Sequence, residues 1–153
     1  MKISCEDQVI LNQWHPISSL DVLTVGVIDN TVLLDSKISY QLNSKKEVLV
    51  WLRLDEKKTL LPTRISYGFI WISLGNPPED LFPFPEYNEP DRRNVATGVF
   101  GVNVSAGRTV ENFLDMGHFP YVHSGILGEE PHTEVKEYEV EISDARDEVL
   151  ATS

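Results

Sequence analysis

The sequence is poor in several things, and each shortage removes a class of answer. It has one cysteine in 153 residues, Cys5. A lone thiol forms no intrachain disulfide, so nothing points to an oxidising compartment. Cations are scarce as well: 13 Lys and Arg face 24 Asp and Glu, for a formal charge of −11. That balance disfavours nucleic acid and anionic lipid, which would add like-charge repulsion. No run approaches the roughly 18 apolar residues of a membrane span, and the N-terminus lacks a basic segment followed by an apolar one. A cytoplasmic protein without a membrane partner is the expectation. At 41% hydrophobic and 24% charged residues the composition is that of a globular chain.

What is present reads first as β-structure. Residues 8–14 form a short apolar run that Pro16 should close, and residues 22–28 and 31–34 flank a turn expected at Asp29 and Asn30. Residues 37–42 alternate apolar and polar, Lys45 and Lys46 interrupt, and residues 47–54 form another β-rich run before a charged turn over 55–58. Residues 63–74, rich in Ile, Tyr, Phe and Trp, predict the most buried strand. Strands at this spacing favour an antiparallel sandwich or small barrel. Residues 75–92 hold five of the nine prolines (Pro77, Pro78, Pro83, Pro85, Pro90) and predict an extended linker, or else an ordered loop packed through Leu81, Phe82 and Phe84.

Beyond it, residues 97–106 look strand-like, with Val99 and Val102 among them. The period then changes: Val110, Phe113, Leu114 and Gly117 recur at helical spacing, with Ser105 or Thr109 as cap and Pro120 as terminator. Residues 133–142 alternate again and predict a last strand, with the remaining residues fraying.

The chemistry concentrates in residues 111–128. On a helix, Glu111, Asp115 and His118 share a face, and His123 follows the Pro120 break, where the chain can fold back. Two imidazoles with one carboxylate and open positions are the ligand set of ferrous oxygenases. By spacing alone, such a pair is more often structural than metal-binding.

The run E-N-F-L-D-x-x-H-F-x-x-x-H-x-G-x-L-G, residues 111–128, closely resembles the iron-binding helix of Rieske non-haem iron oxygenase α-subunits, the aromatic-ring-hydroxylating dioxygenases and related mono-oxygenases and demethylases. Residues 11–17, 65–75 and 82–86 resemble, in the same order, the family's opening strand, the strand closing its Rieske domain, and its interdomain linker. The resemblance implies a mainly β (α+β) chain: a degenerate Rieske-like antiparallel β domain over 1–76, a Pro-rich linker over 77–96, and over 97–153 the N-terminal strand–helix–strand part of the oxygenase catalytic domain. It implies His118 and His123 as ligands of a mononuclear Fe(II). Asp115 becomes the carboxylate that orients His118, and in the family helps link the iron to the cluster of a neighbouring subunit; Asn112 lies close to the metal.

Two departures shape the functional expectation. A Rieske [2Fe–2S] cluster takes two thiolates and two imidazoles, and residues 40–62 contain neither Cys nor His, so the cluster is not expected. The family's third iron ligand is an aspartate far downstream; here only Asp144, Asp147 and Glu148 follow the Glu-rich strand, in no matching pattern. A dioxygen-dependent oxidation is therefore expected only with a partner, either a second copy or a second polypeptide completing a truncated catalytic domain, together with an external electron donor. The alternative is a non-catalytic binding, regulatory or vestigial protein on the same scaffold. His15 and His132 are assigned to packing and solvent, and Trp51 and Trp71 to the core.

Overall fold

A computed structural model of the chain describes residues 5–53, 56–97, 101–144 and 149–152. It is mainly β with short helices, the expected class, and divides into two compact units, Met1–Gly101 and Val102–Ser153.

The first unit holds two antiparallel three-stranded sheets. One has the order β1-β6-β5, with β1 His15–Ser19, β5 Thr63–Ser66 and β6 Phe69–Ile72; the other has the order β2-β3-β4, with β2 Ile28–Leu33, β3 Ser36–Leu42 and β4 Val48–Leu52. Alternation along the strands turns Ile17, Ile70 and Ile72 of the first sheet and Ile38, Tyr40 and Val50 of the second into one cluster with Leu11 and Leu74. Ile38, Ile70 and Ile72 are fully enclosed. Burying each contributes about 1.5–3 kcal/mol. Trp51 is also buried, beneath the Lys58 ammonium 4.8 Å from its ring centre.

Several local expectations change. Residues 8–11 are a helical turn, α1 (Gln8–Leu11), because the Asp7 carboxylate accepts from the Val9 and Ile10 amides and so caps it. Pro16 does not close a strand but sits inside edge strand β1, next to a register shift between Pro16 and Ser18. The turn expected at Asp29 and Asn30 lies instead at Leu34 and Asp35, both with positive φ, which join β2 to β3 as a two-residue hairpin. Residues 63–74 make two strands, not one: Tyr67 (φ 54°) and Gly68 (φ 77°) turn β5 into β6.

The Pro-rich segment packs on this unit. The Tyr67 ring lies 5.7, 5.6 and 5.3 Å from those of Phe82, Phe84 and Tyr87, and its hydroxyl donates to the Phe82 carbonyl at 2.8 Å. Trp71 meets Phe82 edge-on at 5.7 Å, and the Trp14 indole N–H donates to the Pro78 carbonyl at 3.0 Å. Prolines cannot continue a sheet, so this segment is held by rings and single hydrogen bonds, with a 3-10 turn at Pro85–Asn88.

In the second unit, residues 101–105 carry no strand, while Val99 lies outside the described residues. Helix α2 (Ala106–Leu114) begins at Ser105, whose hydroxyl accepts from the Arg108 amide, and ends at Asp115, three residues before His118. Pro120 does not terminate it; it lies in the first turn of a second short helix, α3 (Phe119–Val122), where a missing N–H loses nothing. The expected last strand shortens to β7 (Glu139–Ile142), and residues 149–152, expected to fray, form β8 (Val149–Thr152), which pairs with β7, Ile142 opposite Val149. All four β7 side chains are exposed. Among the described residues, no helix is long and apolar enough to cross a membrane.

Candidate metal centre

The two histidines flank α3, with His118 at its N-cap and His123 at its C-cap. A single helical turn thus brings imidazoles five residues apart onto neighbouring positions. Their ring centres are 5.2 Å apart at an interplanar angle of 62°. Phe119 packs against both, 4.8 Å from His118 and 6.0 Å from His123. Sequence reasoning missed Phe119 as a structural part of this group, although its place beside His118 in the run was the available signal.

The spacing can be tested against a shared ion. A ligating imidazole nitrogen lies about 2.1 Å from its metal, which puts the ring centre roughly 3.2 Å away. Two rings at 90–109° around one ion then have centres about 4.5–5.2 Å apart. The observed separation of 5.2 Å falls at the upper end of that interval. The same separation and tilt also describe an edge-on ring contact.

Asp115 does not share a helix face with His118, as a continuous helix would require, because α2 ends at Leu114. It still reaches His118: its Oδ2 lies 3.5 Å from Nδ1, and its Oδ1 accepts from the Gly117 amide at 2.8 Å. Nδ1 is buried and has no aligned hydrogen-bond partner. At 3.5 Å the carboxylate acts on the ring by charge rather than as a formed hydrogen bond. Its position on the Nδ1 side leaves Nε2 as the nitrogen available for a metal.

The other predicted residues are not brought into this group. Asn112 is exposed on α2, and Glu111 forms a surface ion pair with Arg108 at 2.6 Å. Asp144 is exposed, and Asp147 and Glu148 lie outside the described residues. Among the described residues no group of three His, Cys, Asp or Glu side chains is arranged to hold a metal. His15 is tied to the Ile10 carbonyl at 2.8 Å and His132 is exposed.

Comparison with known proteins bears on the same segment. The family profile of the vanillate O-demethylase oxygenase C-terminal domain matches residues 102–153, the whole of the second unit. Across 148 residues the chain is 40% identical to a probable methylxanthine N7-demethylase of Pseudomonas sp. (strain TJI-51). That alignment takes in 97% of this chain and 51% of the relative, so the chain spans about half the length of the curated protein it matches. A mononuclear iron site is a property of this family, and among the described residues no full ligand set for it is seen. The chain matches the Rieske-type non-haem iron oxygenases, by its C-terminal segment and by its near full-length likeness to a demethylase.

Proposed function

We propose that this chain supplies the two-histidine part of a mononuclear ferrous site in a Rieske-type oxygenase, and that it acts in oxidative demethylation or hydroxylation of an aromatic substrate once a partner completes the site. The observation that carries this reading is the pairing of His118 and His123 across one turn of helix, 5.2 Å apart, with Asp115 on the Nδ1 side of His118. The demethylase name of the relative favours a methylated heteroaromatic ring as substrate.

Each residue then has a task. His118 and His123 hold the metal through neutral ring nitrogens. The Asp115 carboxylate favours the tautomer of His118 that carries its proton on Nδ1. Phe119 packs edge-on against both rings and restricts them. Iron held there supplies dioxygen activation through its open positions. Electrons must arrive from a separate donor, because residues 40–62 offer neither thiolate nor imidazole for a cluster.

A completing partner is also what the second unit's surface calls for. Val110, Phe113, Leu114, Tyr121, Val122, Ile126, Val140, Ile142 and Val149 are each more than half exposed. Apolar exposure on this scale across α2, α3 and the β7–β8 hairpin supports a covering partner. In this reading residues 1–76 are the Rieske-like scaffold and residues 97–153 the opening portion of the catalytic domain.

Co-expression with a candidate completing polypeptide and elemental analysis test the proposal. The expected result is close to one iron per assembled site, lost in His118→Ala and in His123→Ala. An iron-free assembly, or one whose iron ignores both substitutions, refutes it. The absence of a third ligand among the described residues favours a second reading, a non-catalytic module on the same scaffold. That reading predicts assembly indifferent to both histidines.

A further inference from the structure

The residues after His123 turn back on the helix that carries it. The Ile126 and Leu127 amides both donate to the His123 carbonyl at 3.0 Å, and the Gly125 amide donates to the Gly128 carbonyl at 2.8 Å. This return sets Gly128 on Pro120, the only buried residue among the described residues of the second unit. A Cβ at Gly128 would lie 3.3 Å from Pro120 Cγ and 3.4 Å from its Cα, and Gly128 has φ +144°, a conformation open to glycine alone. The backbone therefore calls for glycine, and the space beside Pro120 is tight for a Cβ. By contrast, Ser124, Gly125, Ile126 and Leu127 are all exposed. Little else in this stretch fixes the path of the chain after His123.

We propose that Pro120 and Gly128 form a latch that holds the His123 ring against His118, so that both are positioning residues of the two-histidine site. The inference rests on the metal-site reading given above but concerns how the pair is preset. Any side chain at position 128 must leave positive φ or push Pro120 aside. Either movement opens the 125–128 return, removes the two amide donors from the His123 carbonyl, and frees the last turn of α3 to rotate. The first consequence is a change in the separation of the two rings. Metal affinity follows, because two ligands bind one ion tightly only when held at the spacing it requires.

The test uses the full chain with Co(II) alone as the metal probe, read by visible absorption, and NMR contacts between the ring protons of His118 and His123. Gly128→Ala is compared with Gly107→Ala, whose added Cβ meets open space on α2. The expected result is loss of the ring-to-ring contact in G128A and a roughly 10- to 100-fold weaker cobalt affinity, the scale typical of damaged ligand support, with G107A like wild type. Amide dispersion in the NMR spectrum controls for folding of the second unit, since Trp14, Trp51 and Trp71 all lie in the first and report on that unit alone. Should G128A unfold the second unit, Pro120→Ala keeps the inference testable: it removes the nearest atom, Cγ, and in the double variant P120A/G128A it should restore part of the lost affinity. A ring contact and cobalt affinity in G128A within twofold of wild type would overturn the latch. Wild-type chain that keeps the ring contact yet binds no cobalt through His118 leaves the latch to stand or fall on the ring contact in G128A, and the metal reading is then decided by the iron content of the assembly with its partner.

Discussion

Gly75→Ala is the sharpest probe of how the first unit is closed. Residue 75 follows β6 and lies against the end of α1: a Cβ there would stand 2.2 Å from Asn12 Oδ1 and 3.1 Å from both the carbon and the oxygen of the Leu11 carbonyl. The Asn12 side chain can retreat, but the same oxygen accepts from the Asn76 amide at 2.8 Å, and that bond is then lost. A net hydrogen bond is worth about 0.5–1.5 kcal/mol. The Leu11 carbonyl cannot retreat, because it also accepts from the buried Ser73 hydroxyl at 2.8 Å. Overpacking against fixed backbone costs about 1–3 kcal/mol. Against both stands a gain of about 0.4–1 kcal/mol from a stiffer unfolded chain. The net loss is about 2 kcal/mol, with limits near 0.5 and 4. At a urea dependence of about 1–1.5 kcal/mol per molar, the midpoint of unfolding, followed by tryptophan fluorescence, should fall by about 1.5–2 M. A double-mutant cycle with Asn12→Ala separates the two contributions: G75A should cost less in that background, because the side-chain collision is gone and only the backbone contact remains. A midpoint shift below about 0.3 M would refute the close approach as an energetic fact.

Two further outcomes are expected in the same unit. Ile38→Ala, at a fully enclosed position on β3, should lower stability by about 2–5 kcal/mol in the same urea assay, an effect that a poorly packed inter-sheet core would not show. Tyr67→Phe keeps the ring contacts and removes only the hydrogen bond to the Phe82 carbonyl, so it should cost about 0.5–1.5 kcal/mol and speed proteolysis within residues 76–90; unchanged cleavage would mean that the rings alone hold the segment.

The parts of this chain legible in its sequence are those governed by period and by specific letters. Alternation located β3 to within a residue and β4 closely, and the helical spacing of Val110, Phe113 and Leu114 located α2. The errors arose where short-range hydrogen bonds or positive φ decided the outcome. Asp7 turned an apolar run into helix through its side-chain oxygen. The Leu34 and Asp35 turn displaced the one expected at Asp29 and Asn30 because Asn30 is used inside β2, where its side-chain oxygen accepts from Ser39. The candidate site was legible as a pair of histidines, since the match lies in letters rather than in shape. The break between α2 and α3 was not, because Gly117 was counted into the helical period and Pro120 placed at an end instead of a beginning.

The aliphatic core shared by the two sheets of the first unit has a consequence for how that unit comes into being. Here Ile38, Ile70, Ile72 and Val50 meet directly, while the unit's one thiol and one imidazole, Cys5 and His15, lie outside that cluster's buried set. Such a body draws its rigidity from its own aliphatic side chains.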